Sequence, residues 1–227
     1  MAEQNQAELT QSFYMELADK AFEKIEGFGV WLQEEPTHTI WFKNLLICLL
    51  SALLREYRSL TVGFKKSTPL LAWACRNMLE LNICTKYVLL GSNAKNFVDE
   101  MWIDAIDVFS SFRDWVKFHD PACVTPELDQ TIANFLSEKA KQGVTRTKYL
   151  RTQEMAAAVN FSEEYQHMNK VTSKLVHQTA FSVLTPFDQG EPGDLRRILF
   201  NAGVRFGVEA FNDIQQYIVK KRVEPLP

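Results

Sequence analysis

Residues Thr68–Leu90 read TPLLAWACRNMLELNICTKYVLL, and this stretch decides the fold. Thr68 is a natural N-cap, Pro69 stands at the first helical position, and Gly91 follows the last apolar residue as a C-cap. Between these signals apolar residues fall on nearly every side of a helix. A helix of that kind is stable only when other helices enclose it.

The flanking sequence supplies them. Upstream, apolar residues from Ala7 to Glu34 recur at three and four, giving an amphipathic helix that Gly27 and Gly29 could fray or kink. Thr37 or Thr39 opens a second helix through IWFKNLLICLLSALLREYRSL, apolar all round at its centre and expected to be the most buried element. Downstream, Ser92 or Asn93 caps AKNFVDEMWIDAIDVFSSFRDWVKFH, which Asp120-Pro121 ends. Thr125, Pro126 and Glu127 open a shorter helix that stops at Gly143. A short helix from Thr152 to Val159, one capped by Ser162 and one capped by Asp194 and running to about Lys221 follow. No segment sustains period-two alternation. The expected fold is all-α, a bundle of six to eight helices forming a single domain over residues 1–227, with 1–5 and 222–227 as flexible ends.

Composition narrows the function classes. An apolar share of 46% supports a sizeable core, and a net charge of −3 argues against a generally basic surface. The local basic runs, Lys139 to Arg151 and Lys220 to Arg222, read as a solvated helix end and tail. Cys48, Cys75, Cys84 and Cys123 show no metal-binding spacing, and three of them lie in apolar helical runs where a reduced thiol acts as a small hydrophobe. The N-terminus lacks a basic region followed by an apolar run, so no signal peptide is expected. The most apolar segment, Leu45–Leu54, is about half the ~20 residues of a membrane span. A reduced, cytoplasmic protein without a membrane segment is expected. His38 and His167 have no carboxylate or cysteine at metal-ligand spacing, and there is no Gly-rich phosphate loop, H-E-x-x-H, EF-hand loop or dinucleotide fingerprint. Neither metal nor cofactor is expected.

Three constellations could carry chemistry. Arg76 and Glu80 lie one turn apart on the Thr68–Leu90 helix, in the order that helps an isolated helix less, so polar partners on neighbouring helices are expected. In FSEEYQHMNKVTSKLVHQTAFSVL (Phe161–Leu184), Tyr165, Asn169, Ser173 and His177 recur at four-residue steps beside an apolar face. His177 is the natural proton-transfer group of that row, yet no G-x-S-x-G turn accompanies Ser173. Third, RDWVKFH places Arg113 six residues before His119 at a helix end, a spacing that could put guanidinium and imidazole on one phosphodiester.

The helix Cys75–Leu90 and the Tyr165–His177 segment together resemble a family of helical bacterial proteins known only as a domain of unknown function. That resemblance spans roughly residues 40–185 and rests on Arg76, Glu80, Tyr165, Ser173 and His177. More distantly, the all-helical outline and RDWVKFH resemble HEPN domains, a superfamily that includes dimeric, metal-independent ribonucleases of toxin and phage-defence systems. That resemblance implies an RNA substrate, phosphate binding by Arg113, proton transfer by His119, and a cleft shared by two protomers of a homodimer. His177 does not fit the HEPN motif, because Lys170 and Thr172 stand where an upstream arginine is needed.

Two main expectations follow. One is a metal-independent ribonuclease using Arg113 and His119. The other is a non-enzymatic helical module with a protein partner, in which Arg76, Glu80, Tyr165, Asn169, Ser173 and His177 form a buried polar network. A third places a small anionic ligand between Arg76 and His177.

Overall fold

A computed structural model describes residues 2–36, 38–123, 125–177, 179–180, 184–185 and 193–223, with backbone alone for 2–11, 13, 14, 17 and 221–223. The described residues hold eight helices and no strand: α1 (Ala2–Glu34), α2 (Ile40–Lys66), α3 (Thr68–Leu89), α4 (Asn93–His119), α5 (Pro126–Lys141), α6 (Thr152–Ala158), α7 (Ser162–Val176) and α8 (Asp194–Val223). The protein is therefore all-α, and no helix among the described residues is long and apolar enough to cross a membrane.

The stretch that decides the fold also occupies its centre. α3 packs against α2, α8, α7, α6 and α4, whereas α5 packs mainly on α4. Leu71, Ala72, Ala74, Cys75, Met78, Leu79 and Ile83 are fully enclosed. α2 lends Leu46, Leu53 and Leu60, and α8 lends Leu199, Phe206, Ala210, Ile214 and Ile218 at helical spacing. The expectation that α2 is the most buried element is corrected. Its apolar centre covers one flank of α3, while Cys48, Ser51 and Arg55 face water.

The corner between α2 and α3 is one residue long. Ser67 ends α2, with its N–H on the Gly63 carbonyl, and caps α3, its hydroxyl accepting from the Leu70 N–H at 3.4 Å. The cap is thus Ser67, one residue before the expected Thr68. So sharp a reversal brings Gly63 against the start of α3, where a Cβ would lie 2.5 Å from the Leu71 nitrogen. The buried Arg196 of α8 closes the corner, its Nε donating to Thr68 Oγ1 at 2.8 Å and its Nη1 to the Phe64 carbonyl at 3.4 Å. A cation there also complements the carboxyl end of α2.

The ends of α3 and α5 follow the sequence within a residue or two. Leu90 is the C-cap of α3 and Gly91 follows at φ +60°, while Gly143 takes φ +67° beyond α5. α1 runs through Gly27 and Gly29 unbroken and begins at Ala2, so residues 2–5, expected as a flexible end, are helical. At the other end α8 extends to Val223; residues 224–227 lie outside the described part. α7 departs most. It ends at Val176, and His177 is its C-cap with ψ 152°, so the helix expected to continue toward Leu184 stops there.

Candidate functional site

The structure divides the expected polar row into two groups. On the rim between α3 and α7, Arg76 Nε donates to Glu80 Oε1 at 2.9 Å, and the guanidinium lies near the Tyr165 phenol. Burial, and then the nearby Glu80 carboxylate, raise the Tyr165 hydroxyl above its ordinary range, while Arg76 pulls it back. Arg76 and Glu80 side chains keep 30% and 29% of their surface exposed, so this is a half-buried rim rather than the buried network expected. Further along α7, Ser173 Oγ lies 3.4 Å from Asn169 Oδ1. His177 is exposed beyond the helix end, and its N–H bonds the Ser173 carbonyl. Once the helix stops at Val176, the four-residue step no longer sets the direction of its side chain.

The α3–α8 seam carries further polar contacts that the sequence did not disclose. Asn82, fully buried, donates to Glu209 at 3.0 Å, Lys86 pairs with Asp213, and Arg205 pairs with Glu164 of α7. Three buried carboxylates, Glu35, Glu56 and Glu100, were also missed. Glu100 of α4 accepts from the Leu150 N–H and pairs with Arg146, tying the loop before α6 to α4. Glu35 holds His38 Nδ1 at 2.9 Å across the α1–α2 connection. Glu35 stands three residues before His38, so the expectation that His38 has no carboxylate at such a spacing is corrected. No group of three or more potential metal ligands occurs among the described residues.

α4 is one continuous helix through His119, which governs the geometry of RDWVKFH. Six residues of α-helix turn through about 600°, so side chains at 113 and 119 point about 120° apart. Arg113 faces α5. Its Nη2 and Nε reach Asp114 Oδ1 at 2.9 and 3.0 Å, and its Nη1 reaches Asp129 of α5 at 3.5 Å. His119 instead stands edge-on to Trp115 and Phe118, with ring centroids 4.8 and 5.2 Å apart. Within the chain the two side chains do not converge.

The two sides of α4 contrast sharply. Inward, Trp102 and Phe109 close on Phe135 of α5 at 6.1 and 5.6 Å, over the buried Ile132. Outward, Met101, Val108, Phe112 and Trp115 are 51%, 62%, 51% and 57% exposed, and Phe118 beside them is 80% exposed. Phe112 and Trp115 stack on each other rather than on the core. Single exposed apolar residues are ordinary, but a continuous row of aromatics along one helix is not. Periodicity alone made α4 amphipathic without disclosing that it carries two apolar faces and a neighbour for one of them. No protein-family model, curated protein or solved structure matches this chain, and its own residues carry the functional reading.

Proposed function

We propose that the protein is a helical interaction module whose contact surface is the outer face of α4. The unpartnered row Met101, Val108, Phe112, Trp115 carries this reading. Apolar side chains of this size in water favour association, because covering them releases roughly 25 cal/mol per Å² of apolar surface. The chain meets its own core requirement elsewhere, around α3, so the row is surplus to folding.

Cleavage of RNA by Arg113 and His119 would need both groups on one phosphodiester. Here the guanidinium spends its hydrogen bonds on Asp114 and Asp129 and the imidazole lies among aromatics, an arrangement that favours the module. The half-exposed Arg76–Glu80–Tyr165 group supports a structural part for that rim, holding α7 on α3.

The test is a face variant. Phe112→Glu with Trp115→Glu should leave the circular dichroism spectrum unchanged, since both side chains already face water. Tagged wild-type protein expressed in its own cells should retain associated chains, untagged copies of itself included, that the variant releases. Identical sets of retained chains would overturn the reading, as would RNA cleavage that persists in EDTA and disappears in His119→Ala.

A further inference from the structure

We infer that the outer face of α4 pairs with the same face of a second copy of this chain, antiparallel and about a two-fold axis. The inference rests on the module reading and names its partner. Three observations carry it.

The first is the spacing. Met101, Ala105, Val108, Phe112, Trp115 and His119 follow steps of four, three, four, three and four. A repeat of 3.5 residues is the seam of one helix lying along another, with side chains of each entering gaps in the other. The row spans about 27 Å of helix, so the complementary surface is itself a helix of that length.

The second is size. Small side chains, Ala105 and Val108, occupy the amino-terminal half of the row, and large ones, Phe112 and Trp115, occupy the other. A two-fold axis near residue 110 sets Val108 opposite the partner copy's residue 112, residue 105 opposite residue 115, and residue 101 opposite residue 119. The two inner contacts are then small against large, valine with phenylalanine and alanine with tryptophan, as close packing requires, and methionine meets histidine at each end. A parallel pair would set indole on indole at one end and leave a gap between alanines at the other. The face is therefore complementary to itself when antiparallel, and the same patch on both copies makes the interface isologous.

The third is area. With about 150–250 Å² for a large side chain, the five exposed apolar residues leave roughly 600 Å² in water per protomer. A stable interface covers about 800 Å² per partner, so the row together with Phe118 beside it supplies most of one before any polar rim is added.

Sedimentation velocity on the full chain tests the pairing. The wild type should move as a species of twice 26.2 kDa, and Phe112→Glu/Trp115→Glu at 26.2 kDa with unchanged helicity. Direction is read by mixing chains with the exposed native Cys48 replaced by serine. Ala105→Cys should form a disulfide with Trp115→Cys and not with itself. Wild-type protein at single-chain mass up to roughly 100 μM, a double mass that survives the face variant, or Ala105→Cys linking to itself would each overturn the pairing. If the wild type is a single chain yet the variant still releases other chains in cells, the pairing falls and the module reading stands. If neither assembly nor release depends on the face, both fall.

Discussion

Cys75 shows how one position is set by its surroundings. It lies on α3 with no exposed surface, and burial pushes its thiol up to about 12, against smaller downward pulls from Arg205 and the Gly203 backbone. Burial, aided by Glu80, also pushes the Cys84 thiol up to about 12. Both thiols titrate from 9.0 once unfolded. The native chain therefore keeps protons that the unfolded chain loses as pH rises past about 9, so folding stability declines from there toward the native value. Thermal melting should be flat from about pH 7 to about pH 8.5 and fall above about pH 9, with a shallower alkaline slope in Cys75→Ala than in wild type. An unchanged slope would show that this thiol is not shielded. The sequence already marked Cys75 as a small hydrophobe in an apolar run. It gave no sign of Arg196, whose partners Thr68 and Phe64 lie 128 and 132 residues away.

At the scale of elements, local chemistry wrote the helices plainly. Ser92, Thr125, Pro126, Gly91 and Gly143 bound α3, α4 and α5 within a residue of their expected places, because a first-turn proline and left-handed glycines act over one turn, although the Ser92 and Thr125 side chains make no cap hydrogen bond. α7 is the exception, since nothing in TSKLVHQTAF announces a stop at Val176. The α2–α3 corner is where an element boundary bears most on stability. In Gly63→Ala the new methyl meets the backbone of Leu70 and Leu71, which cannot rotate away as a side chain would. A loss of about 1–3 kcal/mol is expected. At about 2–4 °C per kcal/mol for a chain of this size, the melting temperature should drop by roughly 2–12 °C in calorimetry. An unchanged melting temperature would mean that the corner is looser than the structure has it.

Across the whole molecule, stability should follow distance from α3. α4 buries Ala94, Glu100 and Ile103 near its start, and α5 buries only Ile132, whereas α3 is enclosed along its length. Contacts of this kind set local opening free energies. Hydrogen exchange followed by mass spectrometry should find α3 and the centre of α8 slowest, and the distal half of α4 with α5 faster. Because pairing would cover α4, that arm should gain protection as protein concentration rises, while α3 should not change. Equal exchange in α3 and distal α4 at high dilution would show that the arm is held by more than its own pair.

The sequence by itself determined that the chain is all-helical and where most helices begin and end, because the spacing of apolar residues and the capping groups act within a few residues of each other. It led to the expectation of polar partners for Arg76 and Glu80 on neighbouring helices; the two pair with each other along α3, with Tyr165 of α7 beside them. Only the tertiary structure decided which helix is central, that their shared polar group lies on a rim, and that Arg113 and His119 part company around one continuous helix. It alone left the aromatic side of α4 uncovered. Periodicity fixes which sides of a helix are apolar, but what covers a side depends on helices far away in the chain, and among the described residues none reaches the outer face of α4.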